Sequence, residues 1–534
     1  MKKFKTTLLY ILPIVVLFWS CEKDLEIYPK DDDEFTNEDF YANPDSYKHY
    51  LAKIYGGLAL TGQSNVSGQS DLGDSGQGAV DEGYSQYLRG WWQLQELPTD
   101  EAMIAWIDPT LPDLNFATWN ADNVYIEAFF ARIFFQVGLC NEFLRETTDA
   151  KLSSRNVTDQ QRAEIQRFRA EVRFMRALSY YHGVDIFGKL PFGTEDDLLG
   201  TPPQMQSREF VFNYILGELD AINNELAAPK TNEYARADQA AAWMLKAKLL
   251  LNAKVYTGTD RSADALIAVN QVINSGYTLA PVYANLFKAD NNNNGAENEV
   301  IFPIAYDGEK TGSFGGTTFL IHGGANNAIA AILGVDTGWG GFRVRQEFVS
   351  MVGTDSRVMF APNNNDPASI TNPTTATSTT AFDQGRKLIK FSNIKANGTP
   401  GQSVTYPDTD FPLFRLADAY LMYAELAANG HGDAGTAANY INDLRKRANP
   451  AAPTINAAAL TADLVLTERS RELYWEGYRR QDLIRFGKFS SGYNWQWKGG
   501  VQSGIEIPAY KQVYPIPNKE IRTNGNLSQN QGYN

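Results

Sequence analysis

The sequence is poor in the residues from which metal and nucleophile sites are built. It holds two cysteines, Cys21 and Cys140, and four histidines, His49, His182, His322 and His431. Two cysteines so far apart exclude a disulfide framework. No HExxH and no paired Cys/His spacing is present to bind zinc. The GxxxxGK[ST], GxGxxG and GxSxG loops are missing as well, so phosphate loops, dinucleotide folds and the nucleophile elbow find no support. Carboxylates are abundant, and counting alone does not exclude a glycosidase-type acid pair, whose partners come from distant segments. Positive charge is scarce: 48 Lys plus Arg face 62 Asp plus Glu, a net charge of −14. No basic stripe offsets it, which rules down nucleic-acid binding.

Long apolar runs are also missing after the N-terminus, where about 18 consecutive apolar residues would be needed to span a bilayer. The run from Leu8 to Trp19 is shorter than that and contains Pro13. After the basic start MKKFK it fits a secretory h-region. Ser20-Cys21 at its end resembles a bacterial lipoprotein signal, in which residues 1–20 are removed and Cys21 is lipidated. Residues 21–40, containing EKDLEIYPKDDDEF, then read as an acidic tether. Cys140 lies in the helical pattern VYIEAFFARIFFQVGLCNEFL and reads as a small buried apolar side chain.

What is present is mostly helix. With 43% hydrophobic and 21% charged residues the chain can bury a large core. Asn43-Pro44 reads as a helix start, and residues 123–147, 158–187 and 207–226 carry apolar side chains at three- and four-residue steps. Two segments read as helical hairpins of one kind: Asp238–Tyr256 with Ser262–Ser275, and Phe411–Ala428 with Gly435–Ala448. Both place alanines where two helices approach closely and join them by a glycine-containing turn, the logic of a tetratricopeptide pair. A last helix is expected over Thr461–Phe486. The reading is a mainly α fold over residues 41–534: a tetratricopeptide-like helical-hairpin scaffold with long irregular loops and a few short strands on one side.

The loops, inserted at about 61–120 and 283–410, carry large aromatics on polar, glycine-rich backbone. Trp91, Trp92, Trp106 and Trp119 lie in the first, Phe314, Phe319 and Trp339 in the second. Trp91, Trp92 and Trp119 read as core. Residues 361–380 are low-complexity and read as a surface loop. Aromatics on loops held by a rigid frame mark the place to look for a binding site.

The stretches YPDTDFPLFRLADAYLMYAELA, INDLRKRAN, RELYWEGYRRQDLIRFGKF and YPIPNKEIRTNGNLSQNQGYN resemble the SusD/RagB family of surface glycan-binding lipoproteins, as do QELPTDEAMIAW, RAEVRFMRALSYY and DIFGKLPF. The resemblance implies a non-catalytic protein that captures oligosaccharide outside the cell and forms a lid on a SusC-like TonB-dependent transporter at the outer membrane. It extends to the family's starch-binding site, matched here by Asp81 in VDEGY, Arg89 in YLRGW, Trp106 in MIAW, Phe314 in SFGGTTF and Trp339 in TGWGG. It therefore implies an α-glucan ligand, with three rings as platforms and Asp81 and Arg89 on hydroxyls. Pro109 stands where that site has an asparagine and Phe314 where it has a tyrosine; Asp108 is placed to take over polar contacts. A binder of a different glycan and a surface glycoside hydrolase are the alternatives. In RELYWEGYRRQDLIRFGKF the expectation is core packing by Leu473, Tyr474, Tyr478 and Leu483. Arg471, Glu472, Glu476, Arg479 and Arg480 are expected to pair at helical spacings.

A structural calcium is a further candidate. Asp290, Asn292 and Asn294 before Gly295 match the first half of a calcium loop. Ile301 stands where the loop's glutamate belongs, and the EVIFPI flank reads as a strand, so this is no EF-hand. Asp408 and Asp410, facing the same way on an extended segment, would complete an oxygen cage, as the family resemblance implies.

Overall fold

The computed structural model describes residues 36–62, 70–73, 80–361, 379–380, 382 and 385–533. Cys21, the signal segment and most of the 361–380 loop lie outside them. Two compact units divide the chain, Met1–Tyr47 and Lys48–Asn534. In the first, Thr36 and Asp39 close a capping box on the Asn37–Tyr41 helix. The helix read from Asn43-Pro44 begins only at Ser46, because the Asn43 side chain accepts the Asp45 N–H and closes a turn first. Everything that follows concerns the second unit.

Its frame is a succession of helices, each packed on the next. Val124–Glu146 packs on Asp159–Phe187, then Arg208–Ile222, then Gln239–Leu251. Gln239–Leu251 pairs with Ser262–Ile273, which packs across to Leu416–Ala428 and so reaches Ala434–Ala448. The two hairpins read from the alanine pattern thus stack directly, although a long segment separates them in sequence. Ala240, Ala241, Ala247, Ala265 and Ala424 are fully buried, and small side chains are what let the axes approach. Val124–Glu146 is long and apolar enough to cross a membrane, yet it is a core helix here, packed on Tyr87–Glu96 and Asp159–Phe187. Cys140 is fully buried within it, and burial pushes its thiol up to about 12.

Three expected helices differ. Asp238–Tyr256 breaks at Asn252 into Gln239–Leu251 and Ala253–Thr257. Phe411–Arg415 is a strand, not the start of a helix; it pairs antiparallel with Val300–Ile304, the EVIFPI strand, and the helix starts at Leu416. Thr461–Phe486 is two helices, Ala462–Leu473 and Arg479–Arg485, because Trp475 (φ 61°) and Gly477 (φ 79°) turn the chain between them. Tertiary contacts hold that turn against helix propensity. The Trp475 indole donates to the Glu101 carbonyl (3.0 Å), its own carbonyl accepts the Trp92 indole N–H (2.9 Å), and the Gly477 N–H donates to Glu96 (2.7 Å).

The same break changes the ion pairing. Leu473, Tyr474, Tyr478 and Leu483 are buried as expected, but most of the charged side chains pair with remote segments instead of at helical spacing. Glu472 and Glu476 both bind Arg415 at 2.7 Å, and Glu476 also binds Lys390 at 2.7 Å. Arg479 binds Asp100 (2.6 Å) and Arg480 binds Asp185 (3.1 Å). Burial alone would push the Glu472 carboxyl up, but Arg447, Arg415 and Arg357 together hold it well below the carboxylate range. Such a cluster adds little net stability over an apolar core, yet it fixes geometry, because stranding one member is expensive.

Two small sheets position the loops. Met103–Ile104 pairs with Phe342–Arg343, and the Ala105 N–H continues the ladder to the Gly341 carbonyl (2.9 Å). The Val300–Ile304 and Phe411–Arg415 pair sends out the loops that hold Phe314 and Tyr406.

Candidate functional site

Trp106 follows the first strand of the small Met103–Ile104 sheet by two residues, and Trp339 precedes the second by three. The sheet therefore brings together side chains more than two hundred residues apart in sequence. Their ring centroids are 6.3 Å apart at 48°. Trp106 is fixed from behind by Phe342 (6.4 Å, 20°) and Phe319 (5.8 Å, 70°), and its indole N–H donates to the Gly340 carbonyl at 3.0 Å. Gly341 is required here. Its φ is 103°, and a Cβ would sit 2.5 Å from the Trp106 indole nitrogen.

Trp339 leads to Phe314 (6.0 Å, 67°), and Phe314 to Tyr406 (6.0 Å, 46°). All four rings are only partly covered, and Phe314 is 37% exposed. Successive tilts of this size mean that the four rings do not share one plane. Behind Trp339 the imidazole of His322 stacks at 4.8 Å and 24°. Its two ring nitrogens lie 2.7 Å from the Thr337 carbonyl and 3.0 Å from the Thr405 carbonyl, so the ring sits between both loops and as a neutral imidazole donates to one of the two. Burial lowers its pKa and favours the neutral ring.

Asp81 and Arg89 flank these rings. The exposed Asp81 caps the short Glu82–Ser85 helix by accepting the Tyr84 N–H at 3.2 Å. Arg89 comes from the Tyr87–Glu96 helix and is only 8% exposed. It lies 4.2 Å above the Phe319 ring and 5.7 Å from Trp106, and one N–H donates to the Phe314 carbonyl at 3.1 Å. Its Nε is buried without a partner among the described residues, which costs stability. Burial pulls its pKa down, with Asp81, Glu82 and Asp108 opposing. A Cβ on Gly83 would lie 2.7 Å from Arg89 and 3.2 Å from Asp81, which places both groups close to that residue. Asp108 and Pro109 are exposed on the loop after Trp106.

Glu82 and Tyr406 belong to this site, although the sequence reading passed over both. The buried Glu82 carboxylate accepts the Ser313 hydroxyl (2.7 Å), the Phe314 N–H (3.2 Å) and the Thr61 hydroxyl (3.1 Å), and so holds the Phe314 backbone. The only sequence sign of either was position: Glu82 adjoins Asp81, and Tyr406 opens the YPDTD stretch. Trp91, Trp92 and Trp119 are buried, as read.

The four residues considered for calcium do not form one cage. Asp290, Asn292 and Asp408 border a recess of about 440 Å³, but Asp410 is committed elsewhere, to the Tyr234 hydroxyl (2.6 Å) and the Tyr306 N–H (2.7 Å). Asp408 accepts the Gly308 N–H (2.7 Å) and both the backbone N–H (2.6 Å) and side-chain amide (2.9 Å) of Gln402. Asp290 accepts the Ala396 N–H (2.9 Å) and the Asn294 amide (3.0 Å). Among the described residues no group of three acidic, His or Cys side chains is placed to hold a metal ion. A calcium ion takes six to eight oxygens, backbone carbonyls and waters among them, so these side chains do not by themselves make up a full set.

Comparison with known proteins identifies the family. The SusD family profile matches residues 317–533. The chain is 34% identical to the starch-binding protein SusD of Bacteroides thetaiotaomicron, with 96% of each chain covered. Among solved structures it superposes on a surface glycan-binding protein A from the same organism in complex with laminarihexaose (TM-score 0.68, 22% identity, 91% of this chain and 99% of that one). It also superposes on a SusD homologue from that organism (TM-score 0.69, 20% identity, 92% and 98%). With a relative this similar over nearly its full length and the same helical fold in solved structures, the chain belongs to the SusD family.

Proposed function

We propose that the protein binds starch-type α-glucan at the cell surface without cleaving it. The observation that carries this is the run of partly exposed rings, Trp106, Trp339 and Phe314, beside the guanidinium of Arg89. Glucose units present apolar C–H faces ringed by hydroxyls. Ring platforms take the faces, and planar groups such as Arg89 and Asp81 engage adjacent hydroxyls. An α-linked chain coils, and rings tilted 48° and 67° to one another follow a coil better than a straight ribbon. The name of the 34% identical relative points to the same ligand. Absence of cleavage is supported by membership of a family whose 34% identical relative is named for binding starch.

In the same reading the chain is lipidated at Cys21, held on the outer membrane, and passes its glycan to a SusC-like TonB-dependent transporter. Stacking and hydrogen bonds of about 1 kcal/mol each, less the cost of ordering a flexible chain, give a modest affinity, roughly mM to μM. The test is calorimetric titration with maltoheptaose, a laminarin oligosaccharide, inulin and xylan. Binding of maltoheptaose alone supports the reading. Preference for laminarin oligosaccharide would instead favour a different glycan, the ligand named for the structure that matches at 22% identity. Release of reducing ends from starch would favour a hydrolase.

A further inference from the structure

The aromatic series does not stop at Phe314. The Tyr406 ring lies 6.0 Å beyond it, the same step that separates Trp339 from Phe314. Phe314 carries no polar atom, whereas Tyr406 carries a phenol. That ring is partly exposed, and its hydroxyl makes no hydrogen bond among the described residues. Resting on the glucan reading above, we propose that Tyr406 is a fourth sugar platform that adds a binding position beyond Phe314 and offers its hydroxyl to the sugar held there.

The loop is built to hold that ring in place. Asp408 pins it twice through Gln402 and once to the Gly308 N–H. Ser403 accepts the Tyr406 N–H (3.2 Å), and the Thr405 hydroxyl donates to Asp336 (2.8 Å). His322 spans from the Thr405 carbonyl to the Thr337 carbonyl while stacking on Trp339. The Tyr406 and Trp339 loops thus meet at one imidazole, hydrogen-bonded to one carbonyl and packed against Trp339, which limits how far the platforms move and lowers the cost of ordering them on binding. The same contacts give the acidic YPDTD stretch a role: Asp408 is a loop clamp.

The proposal predicts selectivity by chain length. Three rings serve a trisaccharide, and only a longer chain reaches the fourth. Wild type, Tyr406→Phe, Tyr406→Ala and Trp106→Ala are titrated with maltotriose and maltoheptaose. Tyr406→Ala is expected to weaken maltoheptaose about 5- to 20-fold and maltotriose less than about twofold, with Tyr406→Phe near threefold on the long sugar. Unchanged maltoheptaose binding in Tyr406→Ala, alongside loss in Trp106→Ala, overturns the fourth platform and leaves the glucan reading intact. Equal loss on both sugars also overturns it, since that reports collapse of the loop. Failure of wild type to bind either sugar overturns both.

Discussion

Replacing Trp106 by alanine tests the ring series at the point where most of it converges. The change removes a ring face, worth about 1 kcal/mol in stacking. It also removes the indole donor to the Gly340 carbonyl (3.0 Å), a further ~1 kcal/mol, and with it the restraint on the backbone next to Trp339. Trp339, 6.3 Å away, then loses its neighbour, so part of a second platform is lost as well. Together these amount to about 2–3 kcal/mol, or roughly a 30- to 150-fold weaker affinity. Trp106→Phe keeps a ring and loses the hydrogen bond, so about fivefold is expected. Because Trp106 is half-buried against Phe319 and Phe342, Trp106→Ala is also expected to cost about 1–3 kcal/mol of stability, a fraction of what a fully buried tryptophan would cost. Calorimetry with maltoheptaose measures the affinity, and circular dichroism establishes that the variant is folded. A folded Trp106→Ala protein that binds within twofold of wild type would refute the argument, since no platform of this kind could then be at work.

Other perturbations separate binding from stability. Gly341→Ala forces a Cβ against the Trp106 indole at a φ of 103°, and is expected to weaken glucan binding at least about tenfold while the helical circular dichroism signal is retained. Arg415→Met leaves Glu299, Glu472 and Glu476 buried without their shared cation, and thermal melting is expected to show a loss of about 3–5 kcal/mol with no specific effect on any sugar. Asp410 sets a pH dependence. Burial pushes its carboxyl up to about 7, against the pull of the Tyr234 and Tyr306 bonds. A carboxyl raised in the folded state binds protons more tightly there than in the unfolded chain. Its stabilising contribution is therefore complete below the unfolded pKa, near pH 4, and is lost as pH rises through about 7. Melting temperatures from pH 4 to 8 should fall less steeply in Asp410→Asn than in wild type; identical slopes would dismiss the assignment.

Much of this was legible in the sequence, for local reasons. Apolar side chains at helical steps and alanines at close-approach positions specify the hairpin scaffold, because a helix buries one stripe whatever it packs against. The departures fall where long-range contacts outweigh local preference. The helix expected through Trp475 breaks because Trp92, Glu96 and Glu101 supply partners that only the folded chain brings near. Phe411–Arg415 becomes a strand because Val300–Ile304 offers a ladder.

The site divides along the same line. The sequence by itself placed large rings on polar, glycine-rich segments, and the family resemblance singled out Trp106, Phe314 and Trp339 among them. The sequence could not determine that Asp410 is held by Tyr234, that Glu82 holds Phe314, or that Tyr406 lies next to Phe314. Those are facts of distance between segments more than ninety residues apart. A two-residue sheet, one imidazole and a few loop hydrogen bonds decide them, and none of these leaves a periodic trace in the chain.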